Sequence, residues 1–179
     1  MEKLAQKNAA RLIDLLSERL AFERAGVKLY DALLGRLRAA TDPELRALLE
    51  PTQLHRDEES EHQEWLEEQI RALGGDPHAP SEHSVLVQKE AEGIELVLLR
   101  DPSIAHDFHA LLLAELADHA GWDLLVQLAV AFGDEPAQRE FEKRLRQEEE
   151  HLRFVREALL GMTFMALRGQ ATGDAHLVI

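Results

Sequence analysis

The chain has 179 residues, 45% of them hydrophobic and 30% charged, with a formal net charge of -14, a composition suited to one globular domain with a single core. The acidity disfavours nucleic acid and anionic membrane surfaces, because both require positive charge facing them. The absence of cysteine removes disulfides, thiolate nucleophiles, Cys-ligated zinc and iron–sulfur centres in one step.

The sequence predicts four long helices. The first spans about Leu4 to Arg38, with a seam through Leu12, Leu16, Leu20, Glu23, Val27, Tyr30, Leu34 and Leu37. Its three-and-four spacing is that of a bundle helix with one charged residue where an apolar one belongs. The second starts at Asp42-Pro43, a cap followed by proline at the first helical position, and stops at Gly74-Gly75. Pro51 inside it should kink or break its first turns. Its seam, Leu45, Leu48, Thr52, His55, Glu59, His62, Leu66 and Leu73, is polar in the middle.

Gly74 to Asp101 then forms a long connection, with a short helix over Val85–Leu99 interrupted at Gly93. Such a length crosses a bundle rather than turning back locally. The third long helix should start at Asp101-Pro102 and end at Gly133, with Glu115 in its seam and Asp118 or His119 one turn on. The fourth runs from Asp134 to near Gly161, with Glu148 and His151 in its seam. The whole reads as one domain, 1–179, with its bundle core over about 4–161 and a glycine-broken tail over 162–179. No stretch reaches the ~18 consecutive apolar residues of a membrane span. Met1-Glu2-Lys3 leads into a charged amphipathic segment rather than a signal core, so the expected location is the cytoplasm.

Residues three apart on a helix share a face, so Glu59/His62 and Glu148/His151 can each hold one cation. Two Glu-x-x-His pairs in so acidic a chain mean little by count, since short motifs recur by chance. Their position is what informs: both lie on inward seams near mid-helix, and the other two long helices each place one glutamate, Glu23 or Glu115, in the same layer. Four carboxylates inside an apolar bundle would each cost several kcal/mol unless paired. A pair of divalent cations neutralises them; an inward salt-bridge network is the alternative. There is also a loose internal repeat, in which each half is a seam glutamate followed by a Glu-x-x-His helix.

This pattern resembles the ferritin-like di-iron carboxylate proteins, the group that holds bacterioferritin, ferritin and rubrerythrin. It matches at Glu23, Glu59-Ser60-Glu61-His62, Glu115 and Glu148-Glu149-Glu150-His151, and Tyr30 stands two turns after Glu23 as in ferritins. The resemblance implies an all-α, ferritin-like four-helix bundle with a long crossover between helices 2 and 3. It implies two iron ions per chain, replaceable by zinc or manganese, with Glu59 and Glu148 bridging, Glu23 and Glu115 terminal, and His62 and His151 on one metal each. It further implies oxidation of Fe(II) by O2 or H2O2 with Tyr30 as a catalytic residue, an external electron donor, and a homodimer or larger homo-oligomer, with the outer side of helices 1 and 2 as a candidate interface. Ser60 stands where bacterioferritin has its haem methionine, so haem is not implied. A di-iron hydroxylase of an organic substrate and a bundle holding metal without redox turnover are the other readings of the same residues. His55 reads as a supporting residue, Trp65 and Trp122 as core packing, and the remaining acids around Glu59, Glu58 among them, as a solvated helix face. His78, His83, His106 and His109 read as surface residues.

Overall fold

The structure, a computed structural model, describes residues 1–100 and 103–168, without the side chains of Val97 and Leu99. Among the described residues six helices follow in order: α1 (Glu2–Ala39), α2 (Pro43–Arg46), α3 (Leu49–Ala72), α4 (Glu82–Arg100), α5 (Ile104–Ala131) and α6 (Glu135–Leu167). Helices α1, α3, α5 and α6 form a bundle of two hairpins, α1/α3 and α5/α6, with α5 antiparallel to α1. Helix α4 crosses between the hairpins and packs on α1 and α5. The all-α, four-helix architecture with a long crossover is as the sequence predicts.

Local chemistry sets the boundaries. Asn8, with φ -164 and ψ 92, interrupts α1. Its side-chain oxygen accepts from the Arg11 amide at 3.0 Å, so the residue caps the long part of the helix. The predicted second helix is divided at Ala47 and Leu48 into α2 and α3, because the ring of Pro51 collides with a helical carbonyl four residues earlier. Asp42 caps α2 by accepting from the Glu44 amide at 2.8 Å. Gly74 and Gly133 adopt φ of 85 and 65, the left-handed conformation that ends a helix without a Cβ penalty.

Three expectations need correcting. Helix α4 runs unbroken through Gly93; one glycine costs a helix only ~1 kcal/mol, and α4 is anchored on both sides of it by buried Val87, Ala91 and Leu98. Asp101 and Pro102, the predicted start of the third helix, lie outside the described residues, and α5 is capped instead by Ser103, whose Oγ accepts from the His106 amide at 3.1 Å. Helix α6 passes Gly161 and continues to Leu167, because Met162 and Met165 beyond the glycine pack on the core. Gly169 and the rest of the tail lie outside the described residues.

Two apolar clusters fill the bundle. One is built around Leu33, Leu37, Phe108, Leu111 and Val155; the other around Leu16, Leu20, Leu66, Ile70, Trp122 and Phe141. Between them lies a polar layer to which every long helix contributes. Elsewhere the start of the chain is fastened to the α5–α6 turn: the Leu4 amide donates to Asp134 Oδ2 at 3.1 Å, and Lys3 Nζ to the Gly133 carbonyl at 2.6 Å. The crossover is tied to α1 by His83, which hydrogen-bonds Asp14 at 2.6 Å, and by Arg24, which donates to the Pro77 carbonyl at 3.2 Å. Among the described residues no helix is long and apolar enough to cross a membrane.

Candidate metal centre

The polar layer holds the six residues singled out by the seam pattern. Glu23 comes from α1, Glu59 and His62 from α3, Glu115 from α5, and Glu148 and His151 from α6; none is more than 2% exposed. Their ligand atoms fall into two overlapping groups, Glu23, Glu59, His62 and Glu148, and Glu59, Glu115, Glu148 and His151. Glu59 and Glu148 belong to both. Glu148 spans the two, its Oε1 3.0 Å from His62 Nδ1 and its Oε2 3.5 Å from His151 Nδ1. His62 Nδ1 is also 3.4 Å from Glu23, and His151 Nδ1 lies 3.0 Å from Glu59 and 3.6 Å from Glu115.

A ring of supports surrounds this layer and repeats in the two halves. Trp122 Nε1 donates to Glu23 Oε1 at 2.9 Å, and Tyr30 Oη donates to Glu115 Oε1 at 2.6 Å. Each donor sits two turns beyond the glutamate of its own helix and serves the glutamate of the other. In the same way the residue before each shared glutamate supports the opposite imidazole. His62 Nε2 donates to Gln147 Oε1 at 3.0 Å, and His151 Nε2 donates to Glu58 Oε2 at 3.0 Å. Gln147 Nε2 donates to Glu58 Oε1 at 3.0 Å, and His55 Nδ1 to Glu58 Oε2 at 3.2 Å. These bonds hold a proton on each Nε2 and aim each Nδ1 at the shared carboxylates.

Several of these partners escape a reading of the sequence. Trp122 looks like a core residue because it also is one, fully buried against His62, Trp65 and Phe141. Glu58 hides within an acidic run and, against expectation, turns inward. Asp118 is buried too, but its carboxylate is held by Arg19 at 2.7 Å, while His119 is half-exposed. The Arg19 guanidinium occupies the space that a Cβ on Gly121 would need, 1.9 Å away. Gly26 does the same for Glu59, whose Oε2 lies 2.2 Å from where a Cβ would stand.

The electrostatics are those of an over-charged interior. Burial, and repulsion from Glu148 and Glu23, push the Glu59 pKa well above the carboxylate range. Burial raises Glu115, against the pull of His151. Burial disfavours charge on the two imidazoles, but the surrounding acids outweigh it, and His62 and His151 are both raised well above the ordinary histidine value. Burial and Glu115 raise Tyr30, which keeps its phenolic proton. The hydrogen bond from His151 holds Glu58 down at about 2, against burial.

This set fits divalent cations. Glu23 Oε2, Glu115 Oε2 and both oxygens of Glu148 are buried and accept no hydrogen bond, a costly state for carboxylate oxygens. Two imidazolium groups leave the layer balanced only by the protons that the raised Glu59 and Glu115 hold, and divalent cations can take the place of those protons. The nearest buried arginines are engaged elsewhere, Arg19 with Asp118 and Arg144 with Glu140 and the face of Trp65. Carboxylate and imidazole donors suit iron, manganese and zinc.

No family model matches the sequence, and no curated protein matches it. Among solved structures the chain is similar to a ferritin-like, diiron-carboxylate protein of Bacillus anthracis str. Ames, with a TM-score of 0.65 and 16% identity over 84% of this chain and 96% of that one. The fold is the ferritin-like one.

Proposed function

We propose that the chain is a di-iron oxidoreductase that oxidises Fe(II) with O2 or H2O2. Glu23, Glu59, His62 and Glu148 would hold one iron and Glu59, Glu115, Glu148 and His151 the other. The observation that carries this reading is the pair of four-residue groups sharing Glu59 and Glu148, with buried carboxylate oxygens that accept no hydrogen bond among the described residues. The solved relative is described as a diiron-carboxylate protein, which supports iron over zinc or manganese. Iron bound there would supply the one-electron chemistry of the reaction.

The chain's own residues do the rest. Glu59 and Glu148 keep two positions close. Tyr30 and Trp122 each fill one oxygen of a terminal glutamate and leave the other directed inward. Glu58 and Gln147 keep Nε2 of each imidazole protonated, so that loading a cation displaces a proton only from Nδ1. The two apolar clusters on either side exclude water. Tyr30, protonated and within 2.6 Å of Glu115, is the residue placed to give up a proton and an electron beside the site.

The space next to the centre favours a small oxidant. It is lined by Phe22, Gly26, Glu59, Ala114, Glu115 and Asp118 and measures about 10 Å³, the volume of one water. The larger groove of about 390 Å³ under the crossover is lined by residues such as Ser17, Arg24 and Gln88 and by none of the six. The space beside the centre is too small for an organic substrate of a hydroxylase. The test is an anaerobic Fe(II) titration of metal-free protein, then exposure to O2 or H2O2, followed by near-ultraviolet absorbance. Two iron per chain and rapid oxidation are expected, with both lost in Glu148→Ala. Tight binding of two cations without accelerated oxidation would instead favour a metal-holding bundle.

A further inference from the structure

The outward faces of the long helices differ in kind. On α3 the exposed positions include Asp57, Glu61, Glu64 and Glu68, and on α6 they include Lys143, Arg146, Glu149 and Arg153. The outward stripe of α5 has no carboxylate, lysine or arginine from position 109 to position 131. At its centre are Leu113, Leu116, Ala120, Leu124 and Gln127, with the three leucines 47%, 41% and 46% exposed. A helix apolar on its outer as well as its inner side is the pattern of one covered on both. In a chain of net charge -14, such a face is expected to be covered.

We propose that this face joins two copies of the chain, α5 packing antiparallel on α5 about a two-fold axis at Ala120. Three features single out a second copy. Of the exposed positions 109, 113, 116, 120, 124, 127, 130 and 131, all but Val130 pair off about 120, so an antiparallel copy sets Leu116 against Leu124 and Leu113 against Gln127, each twice. That is the self-complementarity an isologous interface requires. The residue on the axis is alanine, which lets two helices approach closely, and antiparallel packing sets opposite helix dipoles side by side. Charge agrees as well. The acidic outer stripe of α3 would set like charges against each other in a copy, which disfavours the α1/α3 face, while α5 brings none. In the proposed register the half-exposed His119 and Asp123, on one flank of the stripe, lie beside the partner's Asp123 and His119.

The size of the face sets the strength. Twenty-two residue steps of helix span roughly 33 Å, and a strip about 12 Å wide gives on the order of 400 Å² per copy, half of a standard interface. The dimer therefore belongs to the weak class, exchanging in the micromolar range and strengthened by concentration.

The chain's lack of cysteine makes a direct test possible. Sedimentation of the metal-loaded protein should show monomer at about 1 µM and dimer at about 200 µM, and Leu116→Lys should hold it monomeric at both with unchanged helical circular dichroism. Ala120→Cys, treated with a short bis-maleimide, should give a cross-linked dimer, while Glu64→Cys on α3 should not. A mixture of Leu116→Cys and Leu124→Cys should cross-link more than tenfold better than Leu116→Cys alone. A monomer at every concentration, a dimer unaffected by Leu116→Lys, or cross-linking through position 64 rather than 120 would overturn the proposal. Leu116→Cys linking to itself as well as to Leu124→Cys would overturn the antiparallel register. None of these readouts depends on iron chemistry, so they stand apart from the oxidoreductase reading.

Discussion

The Glu23/His62 half of the centre and the Glu115/His151 half are built alike but supported unequally. Glu23 and Glu115 each take a hydrogen bond from an aromatic residue on the other's helix, and each imidazole takes its Nε2 partner from the residue before Glu59 or Glu148 on the opposite helix. The charge of that partner is where the halves part. Gln147 offers His62 a neutral carbonyl oxygen at 3.0 Å, whereas Glu58 offers His151 a carboxylate at 3.0 Å that His55 and Gln147 also hold in place. An anionic partner raises the donor strength of an imidazole ligand. The internal repeat thus copies the geometry of the layer without copying its electronics, and the two proposed cation positions are expected to fill and oxidise in sequence, the His151 position first.

The largest change should come from what the halves share. Glu148→Ala should abolish tight binding at both positions, seen as loss of both equivalents in a calorimetric Fe(II) or Zn(II) titration. Next come the supports. Glu58→Gln makes the halves alike and should weaken the His151 position by about 10–100-fold, so that two resolved binding steps merge. Gln147→Glu should raise the His62 position and merge the steps from the other side. If the steps stay separate in both variants, the inequality lies elsewhere.

A pH series tests the charge balance directly. Between roughly pH 5 and 8, Glu58, held at about 2, is ionised in folded and unfolded chains alike and contributes no slope. Glu59, Glu115, His62 and His151, all raised in the fold, bind more protons folded than unfolded. The metal-free fold should therefore lose stability as pH rises through this window. Cations replace those protons, so the metal-loaded protein should keep its melting temperature, and loading should release protons into a weak buffer. A metal-free melting temperature that rises over the same window would contradict this reading of the layer.

The smallest effects separate the two aromatic donors. Tyr30→Phe removes a bond to Glu115 and Trp122→Phe one to Glu23. A hydrogen bond to a charged group is worth about 1.5–3 kcal/mol, so each should cost roughly tenfold or more in affinity, at its own position only. Tyr30→Phe should in addition slow oxidation more than it weakens binding.

The six polar residues are legible in the sequence because each interrupts an apolar seam of known period, and a charged residue on an inward face demands compensation. Their supports are not. Trp122 satisfies the seam as an apolar residue would, and nothing local reveals that its N–H reaches a helix 99 positions away. Glu58 is one acid in a run of acids, and only the approach of α6 turns it from surface to support. Gly26 and Gly121 are gaps left for side chains of other helices, and a gap has no signature in its own helix. The end of α6 past Gly161 and the unbroken α4 were hidden for a related reason: packing decides whether a helix outlasts a glycine, and packing is a long-range property.

The fastening of the first residues to the α5–α6 turn has a bearing on how the chain reaches this state. The Leu4 amide and Lys3 bond to residues 130 positions later, and Asp134 also caps α6 through the Ala137 amide. One carboxylate therefore starts the helix that carries Glu148 and His151 and receives the turn before Asn8. That contact has to wait until all of α5 has been synthesised. Contacts so distant in sequence close late and slow the search, so the N-terminal turn before Asn8 is expected to dock after the two hairpins have met, as the latch on a bundle already formed.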